Sequence, residues 1–200
     1  PLRDAAIANG AFDVAALKDS IPNTAAETWN VAGGLAFVGD SGNAGIAISR
    51  YSNTYGVPIR YSTDPAVEAE AVTIAMEQTR VDARAEFETG RGFVEQIKLR
   101  YGFADYQHSE IEEDGTIGTS FYNRGMEARV EFVQAQRGGW KGACGAQLVT
   151  RNVDVIGAEA FLPRNSTTQI GAFLLEEATF GIVKAEFGAR IENSQVSAAM

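Results

Sequence analysis

Arg80-Val81-Asp82-Ala83-Arg84-Ala85-Glu86-Phe87 places every charged side chain at an even position and every apolar one at an odd position. In an extended chain successive side chains point to opposite faces, so this stretch forms a β-strand with one charged and one apolar face. A helix, with its period of about 3.6, would scatter the same charges around its circumference. The pattern recurs on both sides of the chain. Phe93, Ile97, Leu99, Tyr101 and Phe103 oppose Gln96, Lys98 and Arg100. Met126, Ala128, Val130 and Phe132 oppose Glu127, Arg129 and Glu131. Val183, Ala185, Phe187, Ala189 and Ile191 oppose Lys184, Glu186 and Arg190.

Turn signals separate these segments. Asp40-Ser41-Gly42-Asn43, Thr89-Gly90-Arg91-Gly92, Arg137-Gly138-Gly139 and Thr179-Phe180-Gly181 each supply a glycine where a tight hairpin needs positive φ. Between them lie longer polar connections, from Tyr55 to about Ala71, from Asp105 to Gly118 and from about Gly157 to Thr167. Short turns alternating with long loops is the asymmetry of outer-membrane barrels.

The spacing predicts an all-β chain, an antiparallel up-and-down meander of about eight strands forming a partial transmembrane β-barrel. The strands fall at about 28–39, 43–54, 72–88, 93–106, 119–136, 140–156, 167–178 and 182–193. Residues 1–27 read as an incoming loop with one short helix in the alanine-rich stretch Ala5 to Lys18, 28–193 as the partial barrel and 194–200 as a tail. Gly33-Gly34 interrupts the alternation of the first strand. Two other architectures fit the same pattern: a self-contained eight-stranded barrel and a soluble β-sandwich, each with a structural or small-ligand binding role. The strand lengths favour a barrel, since sandwich strands usually run only about 5–6 residues.

Composition narrows the function. The net charge of −9 argues against a nucleic-acid partner, whose phosphates need Lys/Arg patches. The single cysteine, Cys144, excludes an internal disulfide and a cysteine-based zinc site. No run of 18 apolar residues is present, so no transmembrane helix is expected, but barrel strands need only about 9–11 residues of alternating polarity. The opening Pro1-Leu2-Arg3-Asp4 carries no signal-peptide pattern.

An ordered series of short stretches adds a resemblance. Ser20-Ile21-Pro22-Asn23-Thr24 precedes Phe37-Val38-Gly39-Asp40-Ser41-Gly42, followed by Tyr51-Ser52-Asn53-Thr54-Tyr55-Gly56-Val57-Pro58. Then come Asp105-Tyr106-Gln107-His108-Ser109-Glu110, Gly118-Thr119-Ser120-Phe121-Tyr122-Asn123, Gly139-Trp140-Lys141-Gly142-Ala143 and Glu159-Ala160-Phe161-Leu162-Pro163. From about Ile21 to Glu192 this series resembles the barrel of TonB-dependent outer-membrane receptors, closest to the zinc-uptake receptor branch. The resemblance implies a bacterial outer-membrane location and a barrel of about 22 strands closed by a plug domain. It also implies energy-dependent uptake of a scarce nutrient, such as a metal ion or metal chelate, through the TonB complex. The chain would hold roughly a third of such a barrel. It shows no recognisable plug or TonB box, and its end at Met200 soon after a strand fits a fragment that reaches TonB through the missing plug. Such a piece would contact the lipid bilayer and, isolated, would self-associate or curl to cover its apolar face.

Receptor barrels need no catalytic residue, and none is expected here. No Gly-x-Ser-x-Gly elbow occurs, and Gly138-Gly139-Trp140-Lys141-Gly142 lacks the spacing of a phosphate loop. The candidate ligand-binding residues are Asp105, Tyr106, Glu110 and Glu112, read as part of an external loop. His108, the single histidine, would share one face of an extended chain with Glu110 and Glu112, a carboxylate–imidazole set suited to a divalent metal. Strand spacing sets those Cβ atoms about 6–7 Å apart, so one ion would need a further ligand from a neighbouring loop. No cofactor is expected; a divalent metal enters only as cargo. Where the zinc-uptake pattern continues into a histidine-rich loop, this chain reads Ile59-Arg60-Tyr61-Ser62-Thr63-Asp64, which argues against zinc. Tyr51, Tyr55, Tyr101, Tyr106, Phe121, Tyr122 and Trp140 would form the interfacial aromatic girdle or contact an organic ligand at the barrel mouth.

Overall fold

The computed structural model describes residues 2–17, 21–59, 62, 64, 66, 70–90, 92–158 and 160–199. Pro1, Lys18, Asp19, Ser20, Arg60, Tyr61, Thr63, Pro65, Val67, Glu68, Ala69, Arg91, Glu159 and Met200 lie outside the described residues. Two short helices, α1 (Leu2–Ala8) and α2 (Phe12–Ala16), precede eight strands: β1 (Ala26–Gly39), β2 (Gly42–Gly56), β3 (Thr73–Glu88), β4 (Val94–Ile111), β5 (Ile117–Gln134), β6 (Trp140–Gly157), β7 (Asn165–Phe180) and β8 (Val183–Ala198). All eight strands form one antiparallel sheet in the order β1-β2-β3-β4-β5-β6-β7-β8. The meander inferred from alternation is therefore the observed fold. No helix among the described residues is long and apolar enough to cross a membrane, which leaves crossing by strands open.

Tight turns set the register at one end of the sheet. Gly39 pairs with Gly42, and Phe180 with Val183, so each of these hairpins closes over two residues. Arg137 and Trp140 bridge around Gly138 and Gly139, whose φ values of 56° and 87° give the twist a two-residue hairpin requires. At the other end the connections are 57–72, 112–116 and 158–164.

Several boundaries differ from those read in the sequence. Asp105–Gly118 is not a long loop: β4 continues to Ile111, β5 begins at Ile117, and only five residues turn between them. The chain crosses Asp105 as strand because Asp105, Gln107 and Ser109 all find polar partners on one face. The tail at 194–200 is largely strand, since β8 pairs with β7 as far as Ala198. Gly33-Gly34 does not break β1; both residues stay in the ladder opposite Ile48 and Ala47. A Cβ on Gly34 would stand 2.8 Å from the Ile46 carbonyl oxygen, so the glycine permits the close approach of β2. The amino-terminal stretch holds two helices rather than one. They pack on each other through Ala6, Ala11 and Ala15 and make no contact with a strand.

The sheet is one layer deep, and β1 and β8 do not pair with each other. A sandwich would bury the Val81 side of β3 under a second sheet, and no second sheet is present among the described residues. A self-contained eight-stranded barrel would need β1 hydrogen-bonded to β8, and the sheet is open. Large apolar side chains are correspondingly uncovered: Leu35 is 81% exposed, Phe37 72% and Ile191 75%.

The start of β1 is tied to the 57–72 connection by Asn23. Its Nδ2 donates to the carbonyls of Val57 (2.9 Å) and Val72 (2.8 Å), while the Val57 N–H donates to the same Val72 carbonyl. Asn23 adopts φ 55°, a left-handed conformation that asparagine tolerates better than most residues. Asn23→Ala, which loses both bonds and strains the backbone, is expected to destabilise the chain by about 1–3 kcal/mol in urea unfolding. Asn23→Gly, which keeps the backbone geometry, is expected to cost about 1 kcal/mol less. Equal losses in the two variants would show that the backbone conformation contributes nothing.

Candidate functional site

Strand parity divides the sheet into a Val81 face and an Arg80 face, because directly paired residues share a face. Near the tight turns the Val81 face is an apolar band, interrupted on β7 by Glu176, which pairs with Phe187. It runs through Leu35 and Phe37 on β1, Ile46 on β2, Ala83 on β3, Leu99 on β4, Val130 on β5, Leu148 on β6, Ile170 on β7 and Phe187 on β8. On β4 it extends from Ile97 to Phe103, about 20 Å along the strand. Small residues such as Ala44, Ala85 and Ala146 hollow it into an open trough of about 920 Å³. The trough has no convergent set of polar groups that would orient a small ligand.

The same strands reverse their polarity farther from the turns. On the Val81 face the apolar band gives way to Asp105, which accepts from Arg124 (2.7 Å), and to Glu77, which accepts from Arg50 (2.8 Å) and Gln107 (3.3 Å). Ser109 and Ser120 hydroxyls meet across the ladder at 2.8 Å. On the Arg80 face the charged half near the turns gives way to a cluster of Tyr55, Met76, Tyr106, His108, Phe121 and Val155. Amphipathicity therefore inverts once along β2, β3, β4, β5 and β6, whereas the far end of β7 is polar on both faces.

His108 is the centre of that cluster. Its Nδ1 stands 2.9 Å from the Tyr106 hydroxyl, and its ring stacks on Phe121 with centroids 4.3 Å apart and planes 11° from parallel. Phe161, from the 158–164 connection, approaches Phe121 at 6.3 Å. Thr119 Oγ1 and Asn123 Oδ1, on the same face of β5 to either side of Phe121, are buried without a hydrogen-bond partner among the described residues.

Of the residues singled out in the sequence, Tyr106, His108 and Glu110 do share this face. They stand within β4, not on an external loop. Asp105 does not join them; parity turns it to the Val81 face and into its ion pair with Arg124. Glu112 lies past the strand end, where its N–H donates to the Thr116 carbonyl (2.9 Å) and its carboxylate fills the space beside Gly118. The metal set of His108, Glu110 and Glu112 is not assembled, and no three His, Cys, Asp or Glu side chains gather as a metal site among the described residues. Asp114 closes the turn by accepting from the Thr116 hydroxyl (2.7 Å) and N–H (2.8 Å), bonds that hold its carboxyl below the ordinary range. The girdle assignment also divides. Tyr101, Tyr122 and Trp140 project from the Val81 face, with Trp140 edge-on to Phe180 at 6.0 Å, whereas Tyr51, Tyr55, Tyr106 and Phe121 project from the other. Sequence reading missed Met76, which pairs with His108, and Val155 and Phe161, which flank Phe121; the change from apolar Phe103 to charged Asp105 on one parity was the available signal.

No protein-family model matches the chain, and no curated protein sequence matches it.

His108 lies beyond the apolar band, and its partial burial lowers the imidazole pKa, opposed by the neighbouring Glu110 carboxylate. With the folded-state value below the ordinary one of about 6.5, the unfolded chain takes up the proton first. Stability is therefore full above that pH and falls as the pH drops through the folded-state value. Unfolding midpoints measured from pH 8 to 5 should decline over this interval, and His108→Phe should flatten the decline. An unchanged slope in the variant would remove His108 as its source.

Proposed function

We propose that the chain forms part of the barrel wall of a TonB-dependent outer-membrane receptor, serving energy-dependent uptake of a scarce nutrient such as a metal ion or metal chelate. The observation that carries the membrane part of this reading is the apolar band. It occupies the same face on all eight strands, with Glu176 the charged interruption on β7, and an exposed band of that size needs a cover. Lipid acyl chains supply one over a height of about 25 Å, close to the length of the band. The strands continue past the band into polar extensions and longer connections on one side only, as in barrels with long external loops.

The Arg80 face then lines the wet interior. Its charges are paired across and along strands: Lys98 with Glu131 (3.7 Å), Arg80 with Asp82 (2.6 Å), and both Lys141 (3.2 Å) and Lys184 (2.6 Å) with Glu177. The two unpaired edges support a share of a larger wall rather than a closed eight-stranded barrel. The receptor assignment itself rests on the ordered resemblance from Ile21 to Glu192, and the choice of cargo on that resemblance alone.

Cys144, exposed on the Val81 face within the band, offers a direct test. In liposomes a fluorophore on Cys144 is expected to be quenched by brominated acyl chains and shielded from iodide. The same label at Gln147→Cys in a Cys144→Ala background, on the Arg80 face, should show the reverse. Iodide quenching of equal strength at both positions would exclude a bilayer on the Val81 face. Val130→Arg, in the middle of the band, should cost about 2–4 kcal/mol in lipid. The uptake half is tested by metal-limited growth of cells carrying the intact gene, with and without inner-membrane energisation.

A further inference from the structure

The register sets three arginines side by side on the Arg80 face. Arg84 on β3 pairs directly with Arg100 on β4, and Arg100 with Arg129 on β5. Directly opposed side chains leave their strands only about 5 Å apart, and like charges in that position are destabilising. Arg129 is compensated: it donates to Glu131 (2.8 Å), and its guanidinium carbon lies 4.1 Å from the centre of the Phe173 ring. Arg84 and Arg100 have neither an ion pair nor a hydrogen bond among the described residues.

Most of the nearby acids are hydrogen-bonded to other groups. Asp82 accepts two bonds of 2.6 Å from Arg80, Glu127 accepts from Gln147 (2.6 Å), and Glu131 is bonded to Arg129 and paired with Lys98, though Arg100 lies within its electrostatic reach. Glu86, on the rim one row nearer the turns, opposes an anion extending that way and confines bound charge to the arginine row. Beside the row, β1 and β2 place Gly34, Ala36, Gly45 and Ala47 on this face, with Val38 and Asn43 toward the turn. The small size of the glycines and alanines leaves a hollow of about 940 Å³ walled by Arg84 and Arg100. That volume lies in the range of small-molecule sites, about 300–1,000 Å³.

We infer that this hollow is a site for a small oligoanion, a molecule carrying two or more carboxylate or phosphate groups. A guanidinium presents a planar fork of donors that matches either group bidentately. Arg84 and Arg100 leave neighbouring strands about 5 Å apart, so a ligand with two anionic groups gives each guanidinium its own fork partner, whereas a monovalent ion such as chloride offers one charge and no fork. Binding also removes the repulsion that the empty row maintains, and local rules are broken in this way mainly at functional sites. The inference rests on the Arg80 face alone and holds whether or not a bilayer covers the Val81 face.

The test is calorimetric titration of the full chain in detergent micelles with citrate, pyrophosphate and chloride. Citrate or pyrophosphate should bind and raise the unfolding midpoint, chloride should do neither, and the preferred anion distinguishes a carboxylate from a phosphate ligand. The double substitution Arg84→Gln/Arg100→Gln should weaken binding at least tenfold while leaving the ligand-free midpoint equal or higher. Arg100→Lys, which keeps charge but loses the fork, should weaken it severalfold. Lys141→Gln, outside the row, should bind as the unaltered chain does. Absence of binding by both anions would overturn the site. So would full binding by the double variant, or a tenfold loss shared by Lys141→Gln.

Discussion

Everything in this sheet depends on parity. Side chains alternate with a period of two, so a one-residue slip between any two strands would exchange the Val81 and Arg80 faces of one strand relative to its neighbour. The two-residue hairpins at 40–41, 138–139 and 181–182 prevent that slip at the end where the apolar band lies. The longer connections carry no such constraint. At that end register is held by side chains instead: Arg50 with Glu77, Asp105 with Arg124, and Ser109 with Ser120. The β4–β5 ladder has two irregularities, between Val94 and Gln96 and between Glu110 and Ile111, and both lie at the ends of the pairing, so the ladder from Gln96 to Glu110 runs without a shift.

The inversion of polarity follows from the same constraint applied to two environments. Near the turns one face is apolar except for Glu176, and the other holds paired charges together with the row of Arg84, Arg100 and Arg129. Beyond Phe103 the apolar groups move to the opposite parity, where His108 stacks on Phe121, Tyr106 meets His108 edge-on and Phe161 approaches Phe121. Strands β2 to β6 thus carry two amphipathic segments in series with opposite sense. A sheet with one solvated face has no need of this, whereas a wall that passes from one surrounding medium into another does.

Much of this was legible in the sequence because its signals were local. Alternation across Arg80–Phe87 identified a strand, and glycine pairs such as Gly138-Gly139 identified the hairpins. The failures came where the deciding contact was distant. Asp105 seemed to belong with His108 and Glu110 because three acidic residues follow closely, yet its partner Arg124 stands nineteen residues away on the next strand. The run from Asp105 to Gly118 looked like a loop because polar residues dominate it, and they are strand residues satisfied across the ladder. The row of Arg84, Arg100 and Arg129 could not be seen without register, since nothing within β3, β4 or β5 alone places those residues at one height.

The strictly sequential pairing has a further consequence. Every strand hydrogen-bonds through its backbone only to the strand before and after it in the chain, and the links that skip a strand are side-chain contacts such as Arg129 with Phe173 and Arg190 with Gln147. The sheet is therefore quasi-one-dimensional, in the manner of a repeat array, with stability distributed over seven nearest-neighbour interfaces. Opening should begin at the flanks and travel inward, with β1 and β8 exchanging their amide hydrogens first and the β4–β5 hairpin last. The residues that read most clearly as strand in the linear sequence are thus also those at the centre of the cooperative unit.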